Sequence, residues 1–140
     1  MGGRSSSFKS RSSSGGIKMG ESDTLDDLWN RVIGKNQEAI DTITKIEEVY
    51  AKEYYSKNPD SAKLTRLQAK GNKYYDDVRL LEKISDHLIN LSRSAGDKAT
   101  ISSIRNSNSI PDRLSLNEVT QGLNEWNKNQ TTITEKLTGE

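Results

Sequence analysis

The chain has 140 residues, room for one domain, with 31% hydrophobic and 29% charged residues and a formal net charge of +1. Together with a mean hydropathy of −0.86, that balance fits thin helical seams under large solvated faces better than a deep core. The near-neutral charge gives no bulk attraction to nucleic acid, and the absence of cysteine excludes disulfides and thiolate metal sites. No run approaches the ~20 apolar residues that span a bilayer, and the N-terminus lacks the apolar stretch of a secretory signal. A cytoplasmic protein is the expectation.

Residues 1–22 read as a disordered, basic, Gly/Ser-rich tail. Met1, Phe8, Ile17 and Met19 are its sizeable apolar side chains, too few to offset an ordering entropy of roughly 1–2 kcal/mol per residue. Arg4, Lys9, Arg11 and Lys18 all precede the first acid, Glu21. Such a tail can make salt-sensitive contacts with nucleic acid or an anionic membrane. Met1-Gly2-Gly3-Arg4-Ser5-Ser6 also fits the myristoylation pattern, with Gly2 exposed on removal of Met1 and Ser6 in the required place. An acyl chain beside basic residues gives reversible membrane attachment.

Residues 23–94 are expected to form an antiparallel helical hairpin. Asp23 or Thr24 can cap the first helix, and Asp26 and Asp27 suit the positive end of its dipole. Its seam runs Leu25, Trp29, Val32, Asn36, Ala39, Ile43, Ile46, Tyr50, and Asn58-Pro59-Asp60 breaks it. Pro59 disfavours a helical residue before it and is suited to open the next helix. That second helix covers about 60–94, with the seam Leu64, Leu67, Gly71, Tyr74, Val78, Leu81, Ser85, Leu88, and stops at Gly96. Each arm is roughly 50 Å long at ~1.5 Å per residue. Gly34 and Gly71 each cost ~1 kcal/mol relative to alanine. An in-register hairpin would set Gly71 near Tyr50. Ile40, Ile43, Ile46 and Val49 in one arm, and Leu80, Leu81, Ile84, Leu88 and Leu91 in the other, make stripes broad enough to touch two partners.

Residues 95–114 read as a polar linker in which Thr100 to Arg105 can form one short helical turn and Pro111-Asp112 marks a turn. Residues 115–140 carry a C-terminal amphipathic helix. Ser115 and Glu118 match a capping box, and Leu116, Val119, Leu123, Trp126, Gln130, Ile133 and Leu137 step 3 and 4 alternately along it. The fold class is therefore all-α: a hairpin plus a third helix, as a three-helix bundle or a coiled coil. Polar Asn36, Ser85 and Gln130 in the seams can fix register and oligomer state.

Catalytic signals are thin. His87 is the one histidine, so no histidine metal cluster is available and no thiol accompanies it. A serine triad lacks its Gly-x-Ser-x-Gly elbow. The adjacent carboxylates Asp26/Asp27, Glu47/Glu48 and Asp76/Asp77 diverge by ~100° on a helix, so they cannot face each other across a cleft. Gly15-Gly16-Ile17-Lys18 lacks the phosphate-loop spacing. Tyr50, Tyr54, Tyr55, Tyr74 and Tyr75 interleave with Lys52, Lys57, Lys70 and Lys73, a mixture that can stack bases, though Glu53, Asp76 and Asp77 dilute the charge.

The opening MGGRSSS, followed by repeated Arg, Ser and Gly, resembles the leader of small phage and prophage proteins of Gram-positive bacteria, with Ser5 where those usually have glycine. The resemblance covers about fifteen low-complexity residues and implies an origin more than an activity. The reading is a non-enzymatic protein without cofactors that binds another protein or self-associates through its helices, as a phage assembly factor or a small inhibitor of a host system. Leu116, Val119, Leu123, Trp126, Ile133 and Leu137 are its expected contact residues. The alternatives are a membrane adaptor acylated at Gly2 and a weak nucleic-acid binder using the tail.

Overall fold

The structure is a computed structural model that describes residues 16–138, with side-chain surroundings described through residue 130. Among the described residues it contains four helices and no strand: α1 (Leu25–Tyr54), α2 (Ser61–Ala95), α3 (Ile101–Asn106) and α4 (Arg113–Thr138). The all-α hairpin-plus-helix architecture is as the periodicity indicates. None of these helices is long and apolar enough to cross a membrane.

Thr24 caps α1 through a full capping box, its hydroxyl accepting from the Asp27 amide while Asp27 accepts from the Thr24 amide. The turn after α1 is tied by Glu53, whose Oε2 accepts the Asp60 amide at 2.8 Å and whose Oε1 pairs with Lys63 at 3.3 Å. Asp60, not Pro59, opens α2: its carboxylate accepts from the amides of Ala62 and Lys63. Pro59 lies one residue outside the cap. Gly96, at φ 92°, ends α2 in a conformation that a side chain would disfavour.

α2 is the central helix. It packs against α1 along one side and α4 along another, while α1 and α4 make few direct contacts. The close approach of α4 is made at Gly122, where an added Cβ would lie 2.6 Å from Ile84 Cγ1 and 3.0 Å from its Cδ1. Gly71 has a different neighbour from the one expected. Its missing Cβ faces Ile46, at 3.7 Å, instead of Tyr50, so the arms pair a turn away from that register.

The gap left between α1 and α4 is filled by chain that the sequence marks as tail and linker. The expected disordered tail 1–22 is corrected here for residues 16–22, and residues 1–15 lie outside the described residues. Ile17 is 3% exposed and belongs to the main core. Its amide donates to Asn127 Oδ1 at 2.6 Å, and its carbonyl accepts from Asn127 Nδ2 at 3.0 Å. Arg31 of α1 donates to the Lys18 carbonyl at 2.9 Å and forks onto both oxygens of Asp23. The strap thus bridges α4 to α1. The ordering entropy that argues against it is offset by a buried isoleucine and a set of part-buried hydrogen bonds.

The linker contributes core as well. Ile101 and Ile104 of α3 are fully buried, under an N-cap at Thr100 whose box partner is Ser103. The starts of α1 and α3 cap one another. Leu25 and Asp26 donate their amides to the carbonyls of Ala99 and Asp97, while Ile101 and Ser102 donate theirs to Asp23 and Glu21. Backbone donors that a helix start leaves without intrahelical partners are satisfied reciprocally across a Thr24–Thr100 bridge.

The Ser115 capping box is not used. α4 starts at Arg113, and the Ser115 amide donates to the Asp112 carbonyl at 2.8 Å. The Ile110–Asp112 turn supplies acceptors that let the helix begin earlier. The stripe in α1 is also narrower than expected, for Ile40 and Val49 are 39% and 42% exposed. A small second core of Ala39, Ile43 and Tyr74, with Ile46 and Val78 beside it, holds the distal half of the hairpin.

Gly122→Ala is expected to lower stability by ~1–3 kcal/mol despite alanine's better helix propensity, and Ile84→Ala in the same chain should abolish that cost. Gly34→Ala, where nothing lies within 4 Å, should instead stabilise by up to ~1 kcal/mol; urea unfolding of the variants checks both signs. Asn127→Ala is expected to cost ~1–3 kcal/mol and to speed hydrogen exchange at the Ile17 amide selectively, read by NMR.

Candidate interaction surfaces

The C-terminal seam is spent inside the chain. Leu116, Val119, Leu123 and Trp126 are each no more than 3% exposed and share one core with Leu28, Leu81, Ile84 and Ile17. They face α2, the strap and α3, so they are not open to a partner in this fold. Ile133 and Leu137 lie on α4 beyond the described side chains, and Gly2, Arg4, Lys9 and Arg11 lie outside the described residues altogether. Lys18 is exposed, with its carbonyl held by Arg31.

Large apolar side chains are left instead on the face of the hairpin turned away from α4. Arg31, which holds the strap on the α4 side, points ~200° away from Trp29 on the same helix. Trp29, Ile33 and Ile40 recur at spacings of four and seven, placing them on one flank of α1, where Ile33 and Ile40 are each 39% exposed. This row opens at the α1 start into a groove of about 370 Å³ between α1 and α2. Leu25 and Leu88 floor it, Trp29 and Ile89 wall it, and Asp26, Arg93 and Asp97 stand at the rim. Trp29, on the expected core seam, is indeed partly buried against the main core, whereas Ile33 was not among the expected contact residues. The signal present was its seven-residue spacing from Ile40.

The hairpin tip forms a second exposed region. α4 starts beside the end of α2, where Asp112 accepts from Ser94 Oγ at 2.7 Å, and runs antiparallel to it. Its 26 residues against the 35 of α2 leave it roughly 13 Å short of the tip at ~1.5 Å per residue. There Tyr50 stacks on Tyr54 with centroids 6.2 Å apart, and Tyr55 meets Tyr54 edge-on at 5.0 Å. Tyr54 and Tyr55 are 53% and 82% exposed.

The adjacent carboxylates are committed to different tasks. Asp27 caps α1, Asp26 sits at the groove rim, Glu47 accepts from the Tyr75 hydroxyl and Asp76 pairs with Arg79. Glu47 holds the Tyr75 phenol protonated to higher pH than usual. Asp77 is different: it is 4% exposed and its Oδ2 has no hydrogen-bond partner. Burial, reinforced by the neighbouring Asp76 and opposed by Lys73, pushes its carboxyl up to about 6. Asn36 Oδ1 and His87 Nδ1 are likewise buried without partners. Asp23 shifts the other way. The Arg31 guanidinium and then the Gly20 amide hold it down at about 2.

Among the described residues no group of histidine, aspartate and glutamate side chains is arranged to hold a metal ion. In comparisons with known proteins, no family model, no curated protein and no solved structure matches this chain.

Asp77 sets a pH dependence. An aspartate in an unfolded chain titrates near ~3.9, whereas this one does so at about 6 in the fold. The fold therefore binds the proton more tightly, and stability from this group is full below pH ~4 and falls as pH rises towards ~6. Asp77→Asn should match the parent near pH ~4 and become more stable than it by ~1–3 kcal/mol above pH ~6.5. Melting curves across that range check it, and a difference independent of pH would refute the assignment. Asp23 acts oppositely, its contribution being lost as pH falls from ~4 to ~2.

Proposed function

We propose that this chain is a non-enzymatic helical interaction module of the cytoplasm, which takes a further helix onto the hairpin face away from α4. The observation that carries the reading is the row Trp29, Ile33 and Ile40 continuing into the Leu25–Leu88 groove. Trp29 packs against the edge of the main core, while Ile33 and Ile40 beyond it spend more than a third of their surface on water. Rows of this kind, edged by charge, mark protein contact sites. A docked helix would cover Ile33 and Ile40 and convert the hairpin into one half of a four-helix arrangement.

The occupant under this reading is a helix, supplied by a second copy of the chain or by another protein. The leader's resemblance to small phage proteins extends the proposal to an assembly factor or an inhibitor of a host system, both of which work by occupying another protein's surface.

The test is solution mass by light scattering for the full chain and for Ile33→Asp/Ile40→Asp, with thermal melting confirming that the double variant remains folded at the assay temperature. A parent oligomer that becomes monomeric in the double variant supports self-association through this face. An oligomer indifferent to the substitutions rejects the face. For a parent that is monomeric, a photo-crosslinking amino acid at position 40 should capture a discrete partner in the native host, and failure to do so while an identical probe at the tip succeeds would move the site there.

A further inference from the structure

A separate surface lies at the corner where the chain turns from α3 into α4, away from the hairpin face. A groove of about 510 Å³ opens there. Ile104 and Leu116 floor it, Ile110 and Leu114 stand at its sides, and Arg105 and Arg113 edge it. Ile104 and Leu116 are core residues, 0% and 2% exposed, while Leu114 is 76% exposed. Leu114 precedes Leu116 by two positions and so points ~200° away from the α4 seam. It contributes little to the core, yet it presents a full leucine to water beside an apolar floor.

No carboxylate lines the groove, and of its two arginines Arg105 is already paired with Glu21 while Arg113 meets no acid among the described residues. Arg113 is held rather than neutralised. Its Nη2 donates to the Arg105 carbonyl at 2.8 Å and its Nη1 to Asn108 Oδ1 at 3.3 Å, both uncharged acceptors. Arg105 pairs with Glu21 through Nε at 3.1 Å, and the nearby Asp112 is turned to Ser94. A guanidinium fixed by neutral bonds keeps its charge, and its remaining N–H donors can meet an incoming oxyanion. Beside it lies an apolar trough of a size that takes a short peptide segment.

We infer that this corner groove binds an acidic peptide segment of another protein. One large apolar side chain of the segment rests between Leu114 and the Ile104–Leu116 floor, and its carboxylates lie on Arg113 and Arg105. The two halves of the site demand both features at once. A purely anionic ligand leaves Leu114 wet, and an apolar peptide without acids leaves Arg113 unpaired and partly desolvated.

Fluorescence anisotropy of a labelled peptide, Ser-Asp-Glu-Leu-Phe-Asp-Glu, with the full chain tests the inference, beside a copy in which lysine replaces each acid. The acidic peptide is expected to bind with a dissociation constant of ~10–100 µM and to weaken between ~50 and ~300 mM salt. Arg113→Glu should lower affinity about tenfold or more, and Leu114→Ser should lower it about fivefold. Both positions are exposed, so circular dichroism should show each variant folded as the parent. Equal binding of the lysine peptide, parent-like binding by both variants, or no anisotropy change at ~1 mM protein overturns the inference. So does tighter binding of oligothymidylate or phosphatidylserine vesicles that is lost in Arg113→Glu, which would assign the corner to nucleic acid or to a membrane.

Discussion

The fold depends on closing one gap. α1 and α4 both lean on α2 but hardly on each other, and two helices on a third leave an open valley that would wet Leu28, Val32, Leu116 and Val119. Burying an aliphatic side chain of that kind contributes about 1.5–3 kcal/mol, so flooding the valley would forfeit a large part of a domain's net stability of ~5–15 kcal/mol. The strap at Ile17 and the short helix α3 keep it dry. Neither has enough apolar surface to fold by itself, and each is held by hydrogen bonds of its backbone, to the other's backbone or to the Asn127 side chain of α4.

Those bonds solve a second problem at the same point. A helix start leaves amides without partners, and a buried start makes them costly. Here two starts are set side by side, and the turn and bridge residues before each helix supply carbonyls to the other helix's first amides. Thr24 and Thr100 then serve two purposes, as side-chain caps for their own helices and as the bridge between them. The arrangement couples residues nearly eighty positions apart without a sheet. It also explains why a stretch rich in Ser, Asp and Thr is ordered. Its polar side chains and backbone are satisfied locally, and its few isoleucines carry the burial.

Long amphipathic segments were legible because a 3.6-residue period repeated over many turns leaves little alternative. Gly96, and the α1 cap narrowed to Asp23 or Thr24, were legible because capping chemistry is local, whereas the cap of α2 fell on Asp60 one residue past the expected Pro59. Ile17 was not, since a single isoleucine among glycines and serines acquires meaning only from Asn127, 110 positions away. Gly122 was equally silent: it falls between Val119 and Leu123, and only the approach of Ile84 gives the missing side chain a purpose. At Ser115 a valid local motif lost to a competing acceptor, the Asp112 carbonyl, which let α4 begin earlier. Local signals hold where no other donor or acceptor, near or distant in sequence, competes for the same backbone group.

The same distinction governs how function is read from such a chain. A regular seam states that a helix must be buried and leaves open whether its cover is intramolecular. Leu116, Val119, Leu123 and Trp126 are covered by their own chain, so regularity at those positions reports folding. The informative residues are those that break the pattern: Ile33 and Ile40 on the flank of α1, and Leu114 half a turn off the α4 seam. An exposed leucine or isoleucine adds nothing to a core it does not enter, and it adds to the risk of aggregation unless something covers it. Leu114 beside an arginine that meets only neutral oxygens joins two such uncompensated features in one place. A ligand carrying both a carboxylate and an apolar side chain would satisfy them together.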